Sequence, residues 1–302
     1  MLRFLKNQFA DAWQFFLVPG IAALLPWRMG YRWLRWCSRR AGSAFDESAR
    51  AAAAVAPQFL PIVDIEAFAA RMRLVWLIDA TDLFLSLLHR SRGWRPQQVE
   101  RVGEWPAQGP FIAAGFHHGN GHWVFKTLAE AGHDSMLVSA RWSRADYPGL
   151  PLRYAYGRLR GNDVERLSAC PIAYRPGAKA QLAEALREGN VVVGVIDMPP
   201  RLAPRGQQPV RLLNQTVSFP VGLLELARAA NAPIVPYWME YDFDTGMRRS
   251  VIGKPLEASA PETLQALAEL LDQAIRRTPE AWFFWPEWPQ WIADAAGATT
   301  AD

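Results

Sequence analysis

Between residues 62 and 90 the apolar positions Phe68, Met72, Val75, Trp76, Leu83 and Leu87 recur three or four apart, with Asp79 as an interruption. That spacing predicts one long helix. Downstream the pattern shortens. Residues 111–116 and 190–197 are nearly unbroken apolar runs, the second rich in valine, and such runs read as strands buried on both faces. Further strands are expected at 135–140, 233–241 and 247–252. Helices are expected at 122–131, at 178–188 closed by Gly189, at 220–230 with proline in its first turn, and at 262–276. This alternation predicts an α/β domain with a largely parallel, helix-flanked sheet. In such sheets binding groups collect in the loops at the carboxyl ends of strands. His117 and Asp197 each fall at such an end.

The first part of the chain follows a different pattern. Residues 9–27 are mostly apolar, but Asp11, Gln14 and the Pro19-Gly20 pair interrupt them, so the run falls short of the ~20 residues a spanning helix needs. No small-residue cleavage site follows, as a signal peptide would require. Instead comes Trp27-Arg28-Met29-Gly30-Tyr31-Arg32-Trp33-Leu34-Arg35-Trp36. Tryptophan and arginine together suit the headgroup layer of a membrane. The alternative is a core helix with a basic outer face. Residues 1–45 hold seven basic side chains against Asp11 alone, so 7 − 1 = +6 is concentrated here in a chain whose net charge is +4. These cations accompany tryptophans in an apolar segment and do not form an arrayed polar surface, which argues against a nucleic-acid partner.

With 302 residues, half of them hydrophobic, and no low-complexity linker, the chain can bury one large core. We expect a membrane-associating helical segment at 1–45, a single α/β domain at 46–293 and a disordered tail at 294–302. Cys37 and Cys170 are too few and too far apart for a disulfide framework and suit a reducing compartment. Trp282, Trp285, Trp288 and Trp291 recur every third residue, with Pro286 and Pro289 precluding a regular helix through the whole stretch. They form either a surface aromatic patch or a tail packed on the core.

Candidate chemistry centres on Gly115-Phe116-His117-His118-Gly119-Asn120-Gly121-His122-Trp123, which carries three of the five histidines directly after a strand. Imidazole exchanges protons near neutrality, and glycine lets backbone and ligand approach closely. His118 and His122 have the i, i+4 spacing of a zinc helix, yet the residues between them are Gly-Asn-Gly, which disfavours helix and supplies no glutamate base. No metal is assigned. Neither a Gly-x-Ser-x-Gly elbow nor a complete dinucleotide fingerprint is present, and neither cysteine has a histidine beside it.

A strand ending in Gly-Phe-His117, with a helix starting five residues on, resembles the His-x4-acid motif of the lysophospholipid acyltransferase superfamily. Within it the chain is most similar to the bacterial lipid A biosynthesis branch, the lauroyl and myristoyl acyltransferases. Gly157-Arg158-Leu159-Arg160-Gly161-Asn162 matches in order, followed by the segment 182–197 ending in an acid. Gly222 with Leu226-Ala227-Arg228, Val235-Pro236 and Pro279-Glu280-Ala281-Trp282-Phe283-Phe284-Trp285 continue the match, which covers most of residues 15–290. The resemblance implies acyl transfer from a thioester on acyl carrier protein or coenzyme A to a lipid hydroxyl, without a cofactor, at the cytoplasmic face of a bacterial inner membrane. It implies His117 as general base and Arg158 and Arg160 as substrate-facing residues; Arg175 is a further candidate, and the neighbouring His118 is also expected to bind substrate.

The chain departs from that family where an aspartate or glutamate should stand, because the position holds His122. A carboxylate stabilises the imidazolium that forms during catalysis, whereas a second histidine at a helix start offers no negative charge. His122 could still accept a hydrogen bond from His117 and fix its tautomer. Asp197 is the acid nominated to replace the missing one, its alternative role being a turn residue before Pro199-Pro200. The altered motif also admits an aminoacyl-carrier donor, or a lipid-binding homologue that has lost the chemistry.

Overall fold

The computed structural model describes residues 2–40, 45–119 and 121–298. Helix α1 (Leu2–Ala12), a π-helical turn (Trp13–Leu17) and α2 (Val18–Leu24) follow one another directly, and α3 (Trp27–Ser38) and α4 (Asp46–Val55) come next. The long α5 (Ile65–Leu88) leads into the sheet domain. There follow β1 (Val99–Val102), β2 (Ile112–Gly115), α6 (Trp123–Glu130), β3 (Ser135–Ala140), α7 (Pro151–Ser168), β4 (Ala173–Arg175), α8 (Lys179–Arg187) and β5 (Val191–Val195). A hairpin of β6 (Gln207–Leu212) and β7 (Gln215–Pro220) precedes α9 (Gly222–Ala229), β8 (Ile234–Tyr241), β9 (Arg248–Ile252), α10 (Thr263–Arg277) and α11 (Trp288–Ala298).

Seven strands form one sheet in the order β1-β9-β8-β2-β5-β3-β4. Every neighbouring pair is parallel except β8 and β9. That exception has a local cause: the link at 242–247 is too short for a crossover and turns at Gly246, φ +75°, so the two strands must pair as a hairpin. Alternate residues of the central strands feed two layers. Ile112, Ala114 and Val192 pack with α4, α5, α8, α9 and α10, while Ala113, Val191 and Val193 pack with α6 and α7. The α/β class and the mostly parallel, helix-flanked sheet are therefore as expected from the alternating pattern.

Two elements escape that pattern. The hairpin β6–β7 turns on Leu213 and Asn214, both at positive φ, a conformation in which asparagine is at home. Its first strand contains Pro209, which the central sheet would not accept. Helix α7 has no apolar stripe because ion pairs hold much of its inner face: Arg153 to Asp11, Arg160 to Asp79 and Arg166 to Asp163. Deeper still, fully buried Arg248 on β9 pairs with Asp82 on α5, which also accepts from Trp123 Nε1 at 2.7 Å. Truncating either ion-pair partner would leave an uncompensated buried charge, costing about 3–5 kcal/mol.

The first forty residues are not a detached extension. Val18, Ala22, Tyr31, Leu34 and Cys37 share a core with Leu74, Leu77 and Ile78 of α5. Their outer side differs, since Leu5 and Phe9, four apart on α1, and Leu17, Ile21 and Leu24, four and three apart further along, are exposed. Among the described residues no helix is long and apolar enough to cross a membrane. At the other end the four spaced tryptophans are fully buried, with Trp282 5.0 Å from Trp285 and 5.2 Å from Trp288, ring centre to ring centre. They pack the tail on the core and form no surface patch. The chain is helical to Ala298, where a disordered tail was expected from 294; residues 299–302 lie outside the described residues.

Candidate active site

Strand register brings the acid and the base together. Gly115 on β2 stands opposite Val195 on β5, and Ile196 continues the ladder by donating to the Gly115 carbonyl at 3.1 Å, so the next residues to meet are His117 and Asp197. The glycine before them is required by packing. A Cβ on Gly115 would lie 2.4 Å from the ring of Tyr237 on the neighbouring strand β8. Gly119, at φ +69°, then turns the chain away toward α6.

His117 and Asp197 form a tight pair. The Asp197 carboxylate accepts the His117 backbone N–H at 2.8 and 2.9 Å, the His117 Nδ1–H at 2.9 Å and the Trp282 Nε1–H at 3.1 Å. These donors offset the cost of holding a carboxylate whose side chain is 0% exposed. The histidine side chain is 31% exposed, so the pair has a buried end and an accessible end. With Nδ1–H committed to the carboxylate, Nε2 carries the free lone pair, the arrangement of a general base oriented by an acid. Tyr237 lies close behind. Burial pushes its phenol pKa well up and the Asp197 charge adds to this, so it stays protonated at neutral pH.

The tryptophan-rich C-terminal segment closes one side of the site. Gly119 N–H donates to the Ala281 carbonyl at 2.7 Å and Phe283 N–H to the His117 carbonyl at 2.9 Å, a bridge between residues 117–119 and 281–283. Phe284 lies over the imidazole with ring centres 4.4 Å apart. The sequence marked these aromatics as a patch or a packed tail, not as site residues. Their every-third spacing was the signal, and only the fold shows that one indole reaches Asp197.

Three residues singled out from sequence do other work. His122 is buried, and its Nε2 meets Asp163 Oδ2 of α7 at 2.9 Å, so it is not the partner of His117. Burial alone would raise the Asp163 pKa, but hydrogen bonds from His122, Ser86 and Arg166 outweigh it and hold the carboxyl well below the usual range. Arg160 is likewise committed, its two terminal nitrogens on the Asp79 carboxylate at 2.6 and 2.9 Å, and is not offered to a substrate. His118 is also unsuited to binding one. It is buried between the carbonyls of Met239, 3.2 Å from Nδ1, and Thr278, 3.1 Å from Nε2, and ties residue 118 to β8 and to the segment after α10. Arg158 and Arg175 remain exposed, Arg175 ending β4 at the carboxyl edge of the sheet that also carries His117. Arg141, just past β3, joins them there, its guanidinium 5.5 Å from the Tyr174 ring centre.

Burial lowers the pKa of His118, with the Thr278 and Met239 carbonyls opposing in part. A histidine whose folded pKa lies below its unfolded value of about 6.5 gives full stabilisation above that pH and loses it on acidification, because the unfolded chain then binds the extra proton. The melting temperature of His118→Gln should therefore fall less than that of the parent between pH 7.5 and 5. Parallel pH profiles for the two proteins would show that His118 does not contribute in this way.

Among the described residues no three histidine, cysteine, aspartate or glutamate side chains stand close enough to hold a metal ion. No family model matches the sequence, and no curated protein is significantly similar to it. The chemistry of the site therefore rests on its geometry.

Proposed function

We propose that the protein is an acyltransferase that works at a membrane surface, moving an acyl group from a carrier-protein or coenzyme A thioester to a lipid hydroxyl. The single observation that carries this reading is the His117–Asp197 pair at the carboxyl edge of the sheet, with Nε2 directed away from the buried carboxylate. In the proposed reaction His117 Nε2 takes the hydroxyl proton as the oxygen attacks the thioester carbonyl carbon. The carbon–sulfur bond then breaks, an ester forms, and the imidazolium returns the proton to the departing thiolate. Asp197 stabilises the imidazolium between those two transfers.

The resemblance to the lipid A biosynthesis acyltransferases supports the same chemistry, with one change: Asp197 supplies from the loop just after β5 the negative charge that the family motif takes from the helix start. The alternative, a lipid-binding homologue that has lost the chemistry, rests on a missing acid, and the Asp197 contact weighs against it. Exposed Arg158, Arg175 and Arg141 suit the phosphates of a carrier thioester or an acceptor lipid. The apolar stripe Leu5, Phe9, Leu17, Ile21, Leu24 suits peripheral attachment, in this proposal to the cytoplasmic face of a bacterial inner membrane.

Thiol release tests the proposal. Purified protein is incubated with acyl and aminoacyl thioesters of carrier protein and coenzyme A, with and without hydroxylated lipid acceptors. Release should depend on an acyl donor and rise with the acceptor. Turnover of aminoacyl donors alone would change the donor class, and no release from any donor would overturn the proposal.

A further inference from the structure

Most arginines that pack on this fold meet an acid, as Arg73 meets Asp46, Arg153 meets Asp11 and Arg248 meets Asp82. Helix α3 is different. Its sequence contains no acidic residue, and Arg32, Arg35, Arg39 and Arg40 have no carboxylate within ion-pair distance among the described residues. Together with Trp36 they line a cavity of about 520 Å³. Like charges one turn apart repel, so this grouping carries a standing cost in the unoccupied protein. The helix dipole favours Arg39 and Arg40 at the C-terminal end, but it falls off within the last turn and does not explain Arg32.

The neighbours of these cations indicate what fills the cavity. Trp36 is 47% exposed and the Arg40 guanidinium lies 3.6 Å from its ring centre, while Met29 is exposed on the same helix. A tryptophan and a methionine turned to solvent among four cations suit the boundary between hydrocarbon and headgroups. The helix is also well placed. Tyr31 Oη donates at 2.6 Å to the carbonyl of Phe243, just past the carboxyl end of β8, the strand next to β2, which leads to His117. Helix α3 and the catalytic pair therefore belong to the same end of the sheet.

We infer that the α3 arginines form a binding site for the phosphate headgroups of an anionic lipid bilayer, separate from the acyl-transfer residues. The inference rests on the membrane-surface part of the proposed function and is independent of whether His117 transfers acyl groups.

Vesicle co-sedimentation of the full chain tests it. Binding to phosphatidylcholine vesicles containing phosphatidylglycerol should exceed binding to phosphatidylcholine alone, and the Arg32→Gln/Arg39→Gln double variant should lose roughly 10- to 30-fold in affinity. Both positions are exposed, and an unchanged circular-dichroism melt confirms that the variant folds. Brominated lipids should quench Trp36 emission, read as the difference between the parent and Trp36→Phe. Thiol release from a soluble donor should be the same in the parent and the double variant, so a failure of acyl transfer is seen separately. Equal binding to neutral and anionic vesicles, binding of millimolar inorganic phosphate with no vesicle binding, or preferential capture of an RNA oligonucleotide would each overturn the inference.

Discussion

Replacing His117 with alanine should lower acyl transfer by roughly 10²–10⁴-fold, the usual contribution of a positioned general base, while leaving the fold intact. The side chain is partly exposed and, among the described residues, its ring packs on a single aromatic, Phe284, so its loss opens no large internal cavity. Thiol release measured beside a circular-dichroism melt separates the two effects. A variant that melts like the parent and turns over at the parent rate would remove His117 from the chemistry, and with it the proposed mechanism.

Asp197→Asn should bring a loss of similar size, and here His122 provides the contrast. An amide at 197 keeps the shape of the carboxylate but gives the imidazole no charge to lean on. It also sets an N–H against the donors that now converge there from His117 and Trp282. The motif that the chain resembles would put an acid at position 122, whereas the carboxylate that meets His117 is at 197. His122→Gln should therefore reduce stability through the lost Asp163 contact and leave the rate per folded molecule within a few-fold of the parent. If His122→Gln loses activity while Asp197→Asn keeps it, the assignment is reversed. Rates and melting curves of the two variants together decide the point.

Much of this site could be read from the chain before its fold was known, and the limits of that reading have physical reasons. Apolar runs at 111–116 and 190–197 gave strands, and strands in an alternating α/β pattern put His117 and Asp197 at carboxyl ends. Their adjacency was not in the pattern, because it depends on which strands pair and in what register, a property of the whole sheet. Asp163 went unrecognised as the partner of His122 because it lies on α7, where ion pairs take the place of an apolar stripe. Arg160 and Arg158 stand two residues apart in one motif, yet only one meets an acid on α5, and no local signal distinguishes them. Trp282 illustrates the same limit from the other end of the chain. Its spacing fitted either a wet or a dry role, and only the position of the Asp197 carboxylate reveals that its indole N–H has a partner.

The bridge between residues 117–119 and 281–283 also bears on when the His117–Asp197 site is completed during synthesis. Both β2 and β5 emerge from the ribosome long before residue 282 is translated, so a nascent chain holds the histidine and the aspartate without the indole that caps the acid. The carboxylate is sealed from solvent only after the late segment docks. A growing polypeptide would thus carry an unfinished site through most of its synthesis.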